Sequence, residues 1–148
     1  GDKVYDAGSV MTARDVFAEL PFGNKTVVLS MSGADLMAAL ENAVSKIEDT
    51  SGRFMQVSKN MAVVYDRNAA SGSRVVSATV NGAAIDAGAT YTVATNDFLA
   101  RGGDGYATFA TAGVVLSADA SQLMASHVVD FIRANGISNE GEGRITFQ

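Results

Sequence analysis

The pattern of apolar and polar residues predicts two helices in the first third of the chain. Thr12 and Asp15 match a capping box, in which a hydroxyl and a carboxylate accept hydrogen bonds from free backbone N–H groups. Pro21 ends this short helix, because a proline disfavours helical geometry in the residue before it. Ser32 and Asp35 repeat the capping pattern before a second helix. Its apolar residues recur at helical spacing: Leu36, Leu40, Val44 and Ile47.

A third helix is predicted near the end of the chain. We expect Asp119 to cap it and Asn135-Gly136 to end it, since glycine readily adopts the left-handed conformation of a helix stop. Between these ends, an apolar stripe at helical spacing is expected to face the core. The stripe includes the single histidine, which we expect to be packed there: Leu123, Met124, His127, Val128, Phe131 and Ile132.

Strands are predicted where β-branched residues cluster, at 26–31, 61–65, 74–80, 90–95 and 144–148. Asn81-Gly82 is a strong turn signal and indicates a hairpin that returns through Ala84 to Asp86. The helices and strands do not alternate as they do in a parallel doubly wound sheet. We therefore predict an α+β fold, with helices covering a mainly antiparallel or mixed sheet system.

Composition narrows the classes of protein that fit these elements. The chain has 148 residues, 47% of them hydrophobic, which suits one domain with a real core. It has no cysteine, so disulfides and thiolate metal sites are excluded. Its net charge is -5, whereas general binding of DNA or RNA needs a basic surface. No apolar run approaches the roughly 20 residues of a membrane-spanning helix.

Hydrolytic chemistry within this chain is not expected. A centre with two metal ions needs several histidine and carboxylate ligands, and His127 is the only histidine. No nucleophile-elbow sequence is present to activate a serine, and no spacing singles out a pair of acidic residues. We therefore predict no catalytic residue, no metal ligand and no cofactor in this chain.

The segment from Asn96 to Tyr106 is the strongest candidate for binding. Gly102, Gly103 and Gly105 surround Asp104, and glycines let a ligand approach the backbone closely. The alternative is a purely structural glycine turn, with Phe98 in the core and Asp104 in an Asx-turn. No helix is predicted to begin here, so a dinucleotide-binding fold is not indicated.

Two other segments carry aromatic or cationic candidates. Phe22, in the turn Pro21-Phe22-Gly23-Asn24, either plugs the end of a helix or offers an exposed stacking face. Two aromatic residues on separate loops could clamp a flat ring from both sides. In Gly52-Arg53-Phe54-Met55-Gln56-Val57-Ser58, Arg53 either meets a phosphate or carboxylate or is simply solvated beside a core Phe54.

Along the chain, these segments form an ordered set with two others, Val63-Val64-Tyr65-Asp66 and Gly143-Arg144-Ile145. In that order they resemble the C-terminal domain of the 5'-nucleotidase family, which includes bacterial periplasmic UDP-sugar hydrolases and animal ecto-5'-nucleotidases. The resemblance spans nearly the whole chain. It implies an α+β fold with four layers arranged α/β/β/α, and a periplasmic or extracellular location.

The resemblance also implies a division of labour between two domains. The N-terminal metallophosphoesterase domain would hold two divalent metal ions and a catalytic His-Asp pair, while the C-terminal domain would bind a nucleoside monophosphate or related nucleotide and rotate between open and closed states. Phe22 and Phe98 would sandwich the base, and Asp104 would accept hydrogen bonds from the ribose. The substrate-binding residues predicted in this way are Phe22, Asn96, Phe98, Gly102, Gly103 and Asp104.

One departure from the family pattern affects the expected affinity. The family pocket also uses an Asn-Gly-Gly-Gly-Ile-Arg type stretch, and Gly1-Asp2-Lys3 begins where that stretch would end. We therefore expect the domain to be truncated at its N-terminal edge and its isolated nucleotide affinity to be weak. Two alternatives stay open: a non-catalytic binding module with the same fold, and a family branch with a non-nucleotide substrate such as a thiosulfate-linked sulfur compound. The pair of phenylalanines argues against the second.

Overall fold

A computed structural model describes residues 4–6, 8–49, 51–137 and 141–148, so Gly1-Asp2-Lys3 lies outside the described residues. The helices are α1 (Ala13–Glu19), α2 (Gly33–Ala43), α3 (Asp97–Ala100), α4 (Ala107–Ala110) and α5 (Met124–Asn135). The strands are β1 (Thr26–Ser32), β2 (Met61–Tyr65), β3 (Val75–Val80), β4 (Ala83–Ala84), β5 (Thr90–Asn96), β6 (Gly113–Leu116) and β7 (Ile145–Phe147). Short 3₁₀ helices occupy Gly103–Gly105 and Ala118–Ala120.

The strands form two separate sheets. The first has the order β5-β1-β6 and is antiparallel throughout, and the second has the order β4-β3-β2-β7, in which β2 and β7 run parallel. The predicted α+β class, with two sheets and helices, is therefore confirmed. In the first sheet Thr26 pairs with Asn96, so the start of β1 lies beside the end of β5.

Helix α2 links the two sheets through their hydrophobic clusters. Ala39 and Ala43 pack with Leu29 and Met31 of β1, beneath the first sheet. Leu40 and Val44 pack instead with residues of the second sheet and the segment before it: Val57, Val63, Tyr65 and Ala78. Because one helix serves both clusters, the loops at its C-terminal end are held against both sheets.

Several local predictions are confirmed. The hydroxyl of Thr12 accepts from the backbone N–H of Asp15, whose carboxylate accepts in return, so the first capping box is complete. Ser32 caps α2 in the same way, accepting from the backbone of Asp35. Asn81 and Gly82 both have positive φ, 52° and 79°, as the predicted hairpin turn between β3 and β4 requires.

The predicted extents of two helices were wrong. Helix α2 ends at Ala43 rather than near Ile47, because Val44, Ser45 and Ile47 donate to carbonyls three positions earlier, in turns tighter than those of an α-helix. Helix α5 begins at Met124, since Asp119 lies in a separate 3₁₀ helix instead of capping it. Strand β6 begins at Gly113 and was not predicted.

The predicted core-facing stripe of α5 was also wrong. The helix buries Ala125 and Val129, while His127 is exposed and Phe131 is 65% exposed. Val128, Phe131 and Ile132 instead line a concavity beside α1, together with Val16 and Leu20. Within the described residues, no helix is both long and apolar enough to cross a bilayer.

Candidate functional site

The glycine-rich segment after β5 contains two successive short helical turns. Asn96 caps the first, α3, by accepting a hydrogen bond from the backbone of Leu99 at 2.8 Å. The expectation that no helix begins here was therefore wrong, although asparagine followed by Asp97 is a typical helix start that could have signalled it. Gly102 then adopts a left-handed conformation with φ 87°, which redirects the chain into Gly103–Gly105.

Asp97 ties this segment to the turn that carries Phe22. One oxygen of its carboxylate, Oδ1, accepts from the side-chain amide of Asn24 and from the backbone N–H of Lys25, each at 3.0 Å. The backbone N–H of Asp97 donates in return to the carbonyl of Lys25, also at 3.0 Å. Phe98 is the next residue, so the two predicted aromatic loops are joined at their bases. Asp97 was not among the site residues predicted from the sequence.

The electrostatics of Asp97 fit this role as an acceptor. Burial alone would raise the pKa of its carboxyl, but hydrogen bonds from Asn24, from the Lys25 backbone and from Arg101 outweigh burial and hold that pKa below its usual range. The second oxygen, Oδ2, pairs with Arg101 Nη1 at 3.0 Å. The carboxylate is therefore charged and fully engaged at neutral pH.

Neither predicted stacking residue is buried in the core. Phe22 is 86% exposed, and Phe98 is 44% exposed with one side of its ring over Gly103. Phe22 lines a concavity whose other walls come from α1 and the start of α5: Phe17, Leu20, Pro21, Leu123 and Met124. The alternative of a core Phe98 does not describe this arrangement, and both rings offer a face to solvent.

Asp104 lies at the far end of the same segment. Its backbone is left-handed, with φ 53°, and its carbonyl accepts from the side-chain amide of Asn42 at 3.1 Å. The carboxylate makes no hydrogen bond to any other described residue, so the Asx-turn alternative is not what the structure has. Asp104 thus presents a free acceptor at the surface.

Tyr106 anchors the end of the segment to the third motif. Its ring is buried and stacks on Phe109 at 5.2 Å, while its hydroxyl donates to the backbone carbonyl of Arg53. Burial, together with the negative charge of Asp104, raises the pKa of Tyr106 to about 12, although the positive charge of Arg53 opposes this. The hydroxyl therefore remains a donor across the neutral range.

Arg53 itself is directed inward. Its Nη1 donates to the hydroxyl of Ser45 at 3.0 Å, and its buried Nε has no partner among the described residues. Phe54 lies partly exposed and stacks on Phe147 at 6.3 Å. The interpretation of a solvated Arg53 beside a core Phe54 does not match that placement. The other interpretation, in which Arg53 meets a phosphate or carboxylate, stays a prediction.

The described residues do not fit a metal centre. They contain no group of three or more histidine, cysteine, aspartate or glutamate side chains that could hold an ion. His127 projects from the exposed side of α5. We therefore derive no chemical step through a metal bound to this chain.

The structure brings the three sequence segments together around one loop. The Asn96–Tyr106 segment contacts the Phe22 turn through Asp97 at one end and contacts Arg53 through Tyr106 at the other. Segments separated by 73 and by 53 positions in the sequence are thus joined by direct hydrogen bonds.

Known proteins resemble this chain in sequence and in fold. The chain is 33% identical to snake venom 5'-nucleotidase of Macrovipera lebetinus over 93% of its length, and 37% identical to the trifunctional nucleotide phosphoesterase protein YfkN of Bacillus subtilis over 72%. A crystal structure of a 5'-nucleotidase precursor from Thermus thermophilus matches 93% of the chain with a TM-score of 0.86 and 36% identity.

The chain corresponds to only part of each of these proteins. It covers 35% of the snake venom enzyme, 8% of the Bacillus protein and 28% of the Thermus chain. The family model for the 5'-nucleotidase C-terminal domain matches residues 2–111, which include all three segments of the candidate site. The chain therefore belongs to the 5'-nucleotidase C-terminal domain family.

Proposed function

We propose that this chain is the nucleotide-recognition part of a metal-dependent 5'-nucleotidase. In this proposal the base stacks between Phe22 and Phe98, and the ribose hydroxyls donate to the carboxylate of Asp104. Asn96, Gly102 and Gly103 shape the backbone that approaches the ligand. The observation that carries the proposal is the hydrogen-bonded junction of the two aromatic loops: both rings are exposed, and the segment that carries Phe98 also carries the free carboxylate of Asp104.

The chemistry of hydrolysis belongs elsewhere in the protein under this proposal. Two divalent metal ions in an N-terminal metallophosphoesterase domain would activate water against a nucleoside 5'-phosphate, or a cyclic or sugar nucleotide. The named relatives are several times longer than this chain, which leaves room for such a domain. We further propose a periplasmic or extracellular location, as the venom origin of one relative suggests.

Titration of the isotope-labelled chain with adenosine, followed by nuclear magnetic resonance, tests the binding site. We expect weak saturable binding, with shifts concentrated at Phe22, Phe98 and Gly102–Asp104. Phe22→Ala and Phe98→Ala should each weaken binding about tenfold or more, since stacking contributes roughly 1–3 kcal/mol per base. Unchanged affinity in both variants would refute the clamp.

A pair of ligands separates the role of Asp104 from that of the rings. The unaltered chain should prefer adenosine to 2',3'-dideoxyadenosine, which lacks both hydroxyls. Asp104→Ala should abolish that preference while keeping the stacking contribution. The division of labour has its own test: the chain should release no phosphate from AMP with added Mn²⁺ or Zn²⁺, and sustained turnover would contradict it.

A further inference from the structure

Asp97 touches both aromatic loops without lying on either exposed ring face. Its carboxylate accepts from Asn24 and Lys25, which follow Phe22 by two and three positions, and its backbone precedes Phe98 directly. We propose that Asp97 is a positioning residue that sets the spacing of Phe22 and Phe98 and thereby sets base affinity without contacting the base. This inference rests on the proposed function.

Few other contacts hold the Phe22 turn in place. The Phe22 turn contains Gly23 with φ 64°, and the Phe22 ring is almost fully exposed, so little packing restrains it. The isolated bridge between Lys25 and Leu123 attaches only the end of this turn to the start of α5. The carboxylate of Asp97 therefore provides the side-chain contact between this turn and the Phe98 helix, beside the backbone hydrogen bond from its own N–H to the Lys25 carbonyl.

The two oxygens of the Asp97 carboxylate bind different partners. Oδ1 makes both bonds to the Phe22 turn, whereas Oδ2 faces Arg101 at the rim of the site. The side chain of Asp97 is 18% exposed and that of Arg101 is 68% exposed. The inner oxygen therefore does the positioning, and the outer ion pair is expected to matter little because solvent screens it.

Positioning affects affinity through the fraction of molecules that hold both rings at the correct separation. A ligand that needs both loops in place binds with a dissociation constant divided by that fraction. If loss of the Oδ1 bonds lowers the competent fraction about tenfold, the apparent affinity for a stacked base falls about tenfold. A base that contacts only one ring would be insensitive to Asp97.

Three substitutions separate these possibilities in the 148-residue chain, with adenosine as the ligand. Asp97→Ala removes both oxygens, Asp97→Asn retains an acceptor in the Oδ1 position, and Arg101→Ala removes only the outer ion pair. We expect about a tenfold loss of adenosine affinity for Asp97→Ala and less than about threefold for the other two. Rescue by Asp97→Asn identifies the inner acceptor as the cause.

A stability control and a ligand-free readout complete the design. Arg74→Ala weakens the second sheet, away from both loops, and should lower stability while leaving adenosine affinity unchanged. Fluorine resonances of 4-fluorophenylalanine placed at position 22 report the loop directly. In ligand-free Asp97→Ala this resonance should move, although the substitution is on a different segment of the chain.

The outcomes separate the inference from the function on which it rests. If the unaltered chain does not bind adenosine, the proposed function fails. The fluorine resonance at position 22, measured without ligand, then still shows whether Asp97 influences the Phe22 turn. If it binds, the inference is overturned by equal affinity in Asp97→Ala, or by an equal loss in Arg74→Ala. Should Asp97→Ala not fold, Asp97→Glu displaces the same oxygen by one methylene, and unchanged affinity in that variant overturns the inference.

Discussion

The ring of Phe98 lies so close to the backbone of Gly103 that a Cβ at position 103 would be 2.5 Å from its Cε1 and Cζ atoms. The absence of a side chain at Gly103 therefore allows the ring to pack against the loop at this position. Because the ring contacts Gly103 while Phe98 stays 44% exposed, we expect Gly103 to set the orientation in which Phe98 meets a ligand.

Gly103→Ala should weaken adenosine binding with little loss of stability. The half-exposed ring can rotate into solvent to relieve the overlap, but it then no longer presents its face to the base. We expect about a tenfold loss of affinity, equivalent to about 1.4 kcal/mol. Titration by nuclear magnetic resonance and urea unfolding measure the two effects separately.

Gly113→Ala is the matched control for that substitution. A Cβ at Gly113 would lie 3.5 Å from the carbonyl oxygen of Ser30, an ordinary van der Waals contact within the first sheet. Adenosine affinity should be unchanged in this variant. Equal affinities in Gly103→Ala and Gly113→Ala would mean that the orientation of Phe98 is irrelevant to binding.

The sequence was sufficient for the parts of the fold that depend on local chemistry. The Asn81-Gly82 turn and the capping box at Thr12 are decided by residues within one turn, and the structure has both. The link between Asp97 and Asn24 spans 73 positions, so no local pattern could reveal it. It follows only once β1 and β5 are paired in register.

The errors at α5 have a similar cause. Helical spacing identifies an apolar stripe, but it does not say which part of that stripe a neighbouring helix covers. Phe131 lies at a concavity beside α1 and stays exposed, whereas Ala125 on the same helix is buried. Strand β6 was missed because its four residues, which begin with Gly113, give too short a pattern to distinguish a strand from a loop.

Arg74→Ala should be among the most destabilising single substitutions in the second sheet. The buried guanidinium donates to the backbone carbonyls of Val44 and Ala69 and pairs with Glu48. Removing it leaves two carbonyls without this donor, so we expect a loss of about 2–4 kcal/mol in the free energy of unfolding. Urea denaturation measures the loss.

An exposed arginine in an ion pair provides the comparison for Arg74. Arg133 lies 3.7 Å from Asp130 on the surface of α5, where solvent screens the pair. Arg133→Ala should change the free energy of unfolding by less than about 0.5 kcal/mol. A similar loss in both variants would contradict a special role for the buried guanidinium.

Gly33→Ala should have two opposing effects on stability, a gain in helix propensity and a loss from steric overlap. Alanine in place of glycine ordinarily stabilises a helix by up to about 1 kcal/mol. At Gly33, however, the new Cβ would overlap the carbonyl oxygen of Asp86 and lie 2.8 Å from its carbonyl carbon. The loop cannot simply move away, because Ala87 and Ala89 accept hydrogen bonds from the start of α2.

We therefore expect Gly33→Ala to destabilise the protein by about 1–3 kcal/mol, as overpacking in a well-packed region does. Ala34→Gly is the reverse substitution at the next, exposed position of the same helix, and it should cost no more than about 1 kcal/mol. Thermal and urea unfolding compare the two. A stabilised Gly33→Ala would show that the overlap is relieved at no cost.

The buried tyrosines should make stability fall at alkaline pH. Burial raises the pKa of Tyr106 to about 12 and raises that of Tyr65 as well, whereas an unfolded tyrosine has a pKa of about 10. Below about pH 10 the neutral hydroxyls contribute their full stabilisation in the folded state. Above it the unfolded chain ionises first, so the free energy of unfolding declines until the folded groups also ionise.

Each tyrosine contributes at most about 1.4 kcal/mol per pH unit to this decline, so replacing either one with phenylalanine should reduce the slope between about pH 10 and 12. The two variants should differ at about pH 8, where both hydroxyls are neutral. Tyr106→Phe loses the hydrogen bond to the Arg53 carbonyl and should be less stable than the unaltered chain. The buried hydroxyl of Tyr65 has no partner among the described residues, so Tyr65→Phe should leave the free energy of unfolding unchanged. Urea midpoints at about pH 8, 10 and 11 measure both effects. If stability falls with pH as steeply in both variants as in the unaltered chain, the two tyrosines are not the cause of the alkaline decline.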